Sequence, residues 1–514
     1  MVLCFCVLEK HNPRSQAPNL PQTPKHFFPA MHYETVIGLE THVQLSTMSK
    51  VFCADSAAFG GAPNTHTSII SLAHPGTLPR LNRRAVEYAV RLGLALGCHI
   101  NPRSTFDRKN YFYADSPKGF QTTQDRSPIC IGGQVQVTVQ GQPVIIRLHH
   151  IHLEEDAGKS LHDQDPADSL IDLNRAGVPL LEIVSEPDLR SAEAVTAYVE
   201  EIRRLVRWLD ISDGNMEEGS LRCDVNVSVR AQGAEQYGQR CEIKNMNSMR
   251  FARRAIEYET QRQIGLLTAG EPVVQETRGY DAETGRTYGL REKENAHDYR
   301  YFPEPDLPPV VLTPAYLAKI AAAMPLLPAA LEAEFQTRYN LPAYDAGLLT
   351  QERQTALYFL QLASLLPAAK PDAPYKAIAN LLINKLLPWA ANAGQSVETN
   401  PVGPAQWLEF LQLIASGQIS SSAAYQRLFP ALLEKPTATP TQLATELQLL
   451  QSADADFLVQ LVDEVLARYP DKVADYQRGK KALLGMFMGE VMKASRGQAE
   501  PKATQRLLEE RLKD

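Results

Sequence analysis

Glu40 and His42 stand two residues apart in a segment whose apolar residues alternate, so a strand there carries both on one face. An imidazole and a carboxylate about 7 Å apart along a strand can converge on one cation. Further carboxylates stand beside predicted strand ends. Glu154, Glu155 and Asp156 close a second alternating segment, and Glu217 and Glu218 precede a third. Glu182 sits inside the apolar run 178–184. A carboxylate in such a run is costly unless a cation or hydrogen-bond donors meet it. A metal would meet it, and so would a buried ion pair with Arg175. Oxygen ligands with a single imidazole favour Mg²⁺ or Mn²⁺ over structural Zn²⁺.

Phosphate chemistry also needs positive charge, and Lys159, Arg175, Arg222 and Lys244 are the candidates. The stretch Ala157-Gly158-Lys159-Ser160 resembles the end of a P-loop, but the upstream glycine would fall at Leu153. No G-x-G-x-x-G opens a helix after a strand, and no G-x-S-x-G is present. These absences exclude a P-loop NTPase, a dinucleotide-binding fold and a serine-hydrolase elbow. If glutamine is a nitrogen source, another chain hydrolyses it.

The elements that position these residues follow from periodicity. Segments 32–45, 134–140, 144–155 and 221–230 alternate as half-buried strands, and Gly141 marks a hairpin between the second and third. Apolar residues at helical spacing predict helices over 82–96, 188–210 and 248–263. Pro303, Pro305, Pro308 and Pro309 force an extended segment. Before it lie 21 of the 29 glycines; after it the chain is rich in Ala, Leu and Gln with long helical periodicity. The expectation is an α+β N-terminal domain, an antiparallel sheet with helices on one face, followed by an all-α C-terminal half. Boundaries are expected at 1–30 (a disordered extension or upstream start), 31–325, 326–440 and 441–514.

The 514 residues carry 44% hydrophobic and 22% charged side chains with a net charge of -7, the balance of a globular enzyme. A surface basic throughout is excluded, although residues 471–514 hold ten Lys/Arg against seven Asp/Glu. Seven cysteines, all before residue 242 and without C-x-x-C, read as reduced cytosolic thiols, hence a cytoplasmic protein. No apolar run reaches the roughly 18 residues of a membrane span.

Several long segments resemble one family. They are YETVIGLETHVQL (33–45), RKNYFYADSPKGFQ (108–121), LEEDAGKS (153–160), DLNRAGVPLLEIVSEPD (172–188), GSLRCDVNVSVR (219–230), EIKNMNS (242–248), RYFPEPDLPP (300–309) and GEVMKASRGQAEP (489–501). Together they look like the B subunits of GatCAB-type tRNA-dependent amidotransferases, the GatB/GatE family. The resemblance implies a glutamine-synthetase-like cradle, a helical domain and a YqeY-like tail. It implies a heterotrimer with an amidase chain (GatA-type), which releases ammonia from glutamine, and a small third chain (GatC-type). The activity it implies is a ligase reaction. ATP and Mg²⁺ activate the side-chain carboxylate of Asp-tRNA(Asn) or Glu-tRNA(Gln), and ammonia then amidates it. The alternative is a non-catalytic, tRNA-binding scaffold within the same complex.

Carried over residue by residue, the resemblance implies a catalytic metal site of Glu40, His42, Glu155 and Glu182, with Glu155 taken ahead of Glu154. Asp224 and Glu217 are further possible ligands. It implies nucleotide or acceptor-end contacts for Lys159, Arg175, Arg222 and Lys244. In the tail, Lys480, Lys481, Lys493 and Arg496 are expected to contact tRNA phosphates, which position without reading bases. The chain departs from the family at one place. Relatives carry a four-thiolate zinc knuckle, but the corresponding positions here are Cys53, Asp55, Ser68 and Ser71. No structural zinc is expected.

Overall fold

The computed structural model describes residues 32–161, 168–244, 246, 248–292, 299–366, 374–451, 455–495 and 498–513. The extension expected over 1–30 lies outside them. Alternation in the first segment produces the strand Tyr33–Gln44, the centre of a ten-stranded sheet. Ile37, Leu39, Thr41 and Val43 are buried, while Glu34, Glu40, His42 and Gln44 lie on the opposite, half-open face. Burying an aliphatic side chain of this kind contributes roughly 1.5–3 kcal/mol, and the alternation fixes which face receives it.

From one edge inward, the sheet runs Arg286–Glu292, Glu276–Asp281, Cys241–Lys244, Leu221–Ala231 and then Tyr33–Gln44. It continues through Pro179–Ser185, Gln142–Glu155, Cys130–Ile131 and His99–Ile100. Gln134–Val139 pairs with Gln142–Glu155 as the predicted hairpin. The sheet departs from the all-antiparallel expectation at one pair: 241–244 runs parallel to 276–281. A parallel pair needs a long crossover, and the helix Met249–Ala269 supplies it.

That helix, with Arg83–Ala95 and Ala192–Trp208, contributes to the same apolar core as the strands. Asn82, Ser191 and Ser248 cap the three N-termini through their side chains, each worth about 1 kcal/mol. The proline segment is extended, as expected. Phe302–Pro303 pairs with Asp107–Asn110, and Val310–Val311 with Arg103–Ser104. From Pro314 on, the described residues form helices and their connections. They enclose two further apolar cores. One is built around Phe335, Phe359, Trp407 and Phe410, the other around Val462, Phe487, Val491 and Leu508. Among the described residues no helix is long and apolar enough to cross a membrane.

Candidate functional site

The polar sheet face gathers charge because pairing puts its hydrophilic residues opposite one another. Glu182 faces His42 on one side and His152 on the other. Glu40 faces Asp224, and His42 faces Arg222. His42 Nε2 lies 3.2 Å from Glu182 Oε2 and 3.8 Å from Glu154 Oε1. His152 Nε2 lies 3.5 Å from Glu154 Oε2 and 3.6 Å from Glu182 Oε2. Behind it, His150 Nε2 lies 3.0 Å from His152 Nδ1. Burial lowers the His42 pKa, but Glu182 and Glu154 outweigh it and raise the value to about 9. Burial opposes the charge on Glu182, yet His152 and His42 hold its pKa far below the ordinary range.

A second acidic group stands beside the first. Glu40, Asp224 and Glu242 offer oxygens within 4.8 Å of one another, as do the ligand atoms of His42, Glu154 and Glu182. Asn226 donates to Glu40 at 3.0 Å. Lys244 Nζ lies 2.9 Å from Asp224 and 3.1 Å from Glu242. Burial alone would discharge Lys244, but Asp224 and Glu242 raise its pKa. Lys109 is held charged in the same way, against burial, by Tyr301, Glu154 and Glu182. Both donor sets consist of carboxylate oxygens with at most one imidazole nitrogen, which suits a hard divalent cation.

Part of this group lines one open cleft of about 610 Å³, whereas Glu40 lines a separate pocket. His42, Glu154, Glu182, Arg222, Asp224, Lys244 and Lys109 are on its wall, together with Glu217. Arg222 is oriented by Asp156, whose Oδ2 accepts from Nη2 at 2.7 Å and from Gln44 at 2.6 Å. Burial would raise the Asp156 pKa, but Arg222 and Arg175 pull it below the ordinary value of 3.8.

The structure separates Glu155 from this group. Ile151 and Leu153 are core residues, so strand parity sends Glu154 to the polar face and Glu155 to the core side. There Glu155 pairs with Lys118 and accepts from the Thr122 backbone at 2.8 Å. It faces a smaller cavity of about 230 Å³ that also takes in Lys50, Arg108 and Glu304. Cleft and cavity share Tyr111, Gln121, Asp156 and Ala157 as a common wall.

The four basic candidates divide in the same manner. Arg222 and Lys244 line the cleft, whereas Lys159 and Arg175 do not. Arg175 donates to the carbonyls of Ala157 and Gly158 at 2.8 and 2.6 Å, bracing the turn behind Asp156. A Cβ at Gly158 would stand 2.9 Å from the Asp172 carbonyl and 3.0 Å from that of Asp115. This glycine therefore serves close backbone packing and not phosphate binding. Lys159 Nζ lies 5.2 Å over the Phe59 ring. In the tail, Lys480 pairs with Asp475 at 2.9 Å, Lys481 lies 4.1 Å over Tyr476, and Lys493 is in the last turn of Leu483–Ala494. Arg496 lies outside the described residues.

Sequence reasoning passed over His152, Lys109 and Glu242 and set Glu154 second. Parity with the core residues Ile151 and Leu153 would have selected His152 and Glu154. Lys109 had no such signal, because a strand from elsewhere in the chain brings it to the cleft.

Residues 35–318 match the GatB/GatE catalytic domain, and residues 365–512 match the GatB domain. A protein of Anaeromyxobacter dehalogenans (strain 2CP-1) is 48% identical over 488 residues, covering 95% of this chain and 100% of that protein. One from Bordetella avium (strain 197N) is 46% identical over 488 residues, covering 94% and 100%. One from Myxococcus xanthus (strain DK1622) is 45% identical over 487 residues, covering 95% and 100%. All three are named as the B subunit of an aspartyl/glutamyl-tRNA(Asn/Gln) amidotransferase.

Proposed function

The chain belongs to the GatB/GatE family, and on that premise we propose that it is the B subunit of a tRNA-dependent amidotransferase. In this reading it is the cytoplasmic ligase component that converts Asp-tRNA(Asn), Glu-tRNA(Gln) or both to the amidated forms. A carboxylate resists ammonia because its charge repels the nucleophile and oxide is a poor leaving group. Phosphoryl transfer from ATP supplies the leaving group, and Mg²⁺ when bound neutralises the charge that moves.

The observation that carries the reading is the polar sheet face on which two acidic donor sets stand side by side, the first set and Asp224 of the second lining a cleft with fixed cations. His42, Glu154 and Glu182 form the first set suited to Mg²⁺; Glu40, Asp224 and Glu242 form the second. Arg222, Lys244 and Lys109 balance phosphate charge. Asp156 holds Arg222 at one angle, so little reorganisation is needed when an anion arrives. Glu155 acts from the far side of the strand through Lys118.

Ammonia comes from the GatA-type amidase partner, with the small GatC-type chain completing the heterotrimer. The cavity beside Glu155 supports an entry from that side, because it shares a wall with the cleft. The polar sheet face is the floor of a glutamine-synthetase-like cradle. Three separate apolar cores support its division from a helical domain and a YqeY-like tail, whose Lys480, Lys481 and Lys493 face tRNA phosphates.

The test is amidation by the assembled three-chain complex with both mischarged tRNAs, comparing wild type with Glu40→Ala and Glu182→Ala. The expected result is loss of amidated product with glutamine hydrolysis and tRNA binding retained. Product formation by both variants at the wild-type rate would end the reading and favour a scaffold.

A further inference from the structure

The loop after the central strand lacks the four thiolates of the zinc knuckle that the family resemblance implies, and hydrogen bonds stand there instead. Cys53, Asp55, Ser68 and Ser71 occupy the positions where a four-thiolate site would draw ligands from two short segments. Ser71 Oγ donates to Asp55 Oδ2 at 2.5 Å. The Ser68 backbone N–H donates to Ser71 Oγ at 2.9 Å, and the Ser68 hydroxyl accepts from Ile70 N at 3.3 Å. The side chains of Ser71, Cys53 and Ser68 favour the charged Asp55 carboxylate and hold its pKa below the ordinary 3.8 against burial. One anion thus stands among polar side chains from both segments, with the Ser71 hydroxyl as its hydrogen-bond donor.

We infer that the Asp55 carboxylate occupies the place of the zinc ion as the hub of this loop, which closes by hydrogen bonds and holds no metal.

The donor set fails a zinc fit on its own terms. A Ser hydroxyl is a poor zinc ligand, and a cysteine binds zinc as the thiolate. Burial first, with Asp55 beside it, raises the Cys53 pKa to about 11, so the sulfur keeps its proton. His66 and His74 do not rescue a metal site. Among the described residues, neither group that brings three ligand atoms together includes Cys53, Asp55, His66 or His74.

The hub has a structural load. Beyond it, the loop is stitched to the segment that braces the cleft. Asn64 donates to the Ile171 carbonyl at 2.9 Å and accepts from Leu173 N at 2.8 Å. His66 N donates to Asn174 at 2.8 Å, and Asn174 donates to the Ala62 carbonyl at 2.6 Å. Next in sequence after Asn174 is Arg175, which braces the turn behind Asp156. Asp55 therefore anchors the base of a loop whose tip holds the 171–174 segment, and Cys53, Ser71 and His74 line the smaller cavity.

The experiment is metal analysis of the purified full chain by mass spectrometry, with thermal melting before and after a strong zinc chelator. The expected result is no stoichiometric zinc and an unchanged Tm. One zinc per chain in the wild type, or a Tm drop on chelation, would overturn the inference. Two variants test the hub from the other side. Asp55→Asn keeps the shape but removes the charge, and should raise the rate of proteolytic nicking within 53–79 about tenfold. An unchanged rate would overturn the hub. The triple variant D55C/S68C/S71C, which has four thiols with Cys53, should take up one zinc per chain and become chelator-sensitive. A folded triple variant that binds no zinc would show that the four positions do not converge, with the same consequence.

Discussion

Glu154 and Glu155 are neighbours in the chain and belong to different regions of the molecule. Glu154 joins His42, His152 and Glu182 on the polar face, in a wide cleft rich in ionisable groups. Glu155 joins Lys118 on the core side, at a smaller cavity, where the Thr122 backbone N–H and the Lys118 ammonium hold it. The first carboxylate shares two imidazoles with a second carboxylate, an arrangement that a divalent cation can enter by displacing a proton from His42. The second is satisfied within the chain. The comparison teaches that a strand's two-residue period can send one acid to an open polar face and the next to a packed ion pair.

The largest effect that would break this comparison is on turnover. Glu154→Gln in the assembled complex should lower kcat/KM for amidation roughly 10²–10³-fold, with little change in Tm. Wild-type turnover by Glu154→Gln, together with a loss of that size in a stably folded Glu155→Gln, would reverse the assignment. Stability should respond in the opposite order. Glu155→Gln leaves a largely buried ammonium without its partner and should cost about 2 kcal/mol in chemical denaturation. Lys118→Met added to Glu155→Gln should recover part of that loss; no recovery would mean that the pair is not the cause.

A smaller effect concerns acid. The folded pKa of Asp156 is depressed below its ordinary 3.8 by Arg222 and Arg175 against burial. Its stabilisation is fully present above that ordinary value and is lost as pH falls through the depressed folded value. Asp156→Asn should therefore flatten the acid limb of denaturation midpoints measured from about pH 6 to about pH 3. An acid limb unchanged by the substitution would remove Asp156 as a contributor.

Much of the fold was legible in the sequence because local periodicity carries it. Alternation around Glu40 and His42 gave the strand and the face, and Asn82 and Ser248 stood at helix starts where the structure has caps, whereas the helix expected from 188 begins at Ala192 after the Ser191 cap. The parallel pair 241–244 and 276–281 was not legible, because two short segments do not reveal their direction until the intervening helix is seen as a crossover. At the site, charge type pointed to Arg222, Lys244, Lys159 and Arg175 alike and could not tell which of them line the cleft. The four are equally basic in sequence and differ only in what the fold puts before them.

The sequence by itself determined the elements, the faces of the strands and the family, because these depend on residue order and on patterns a few residues long. Tertiary structure alone decided which carboxylates meet. Glu40, Glu154, Glu182, Asp224 and Glu242 come from five strands, and their grouping follows from inter-strand register. Backbone hydrogen bonds across the whole sheet set that register, and no short stretch of sequence contains it.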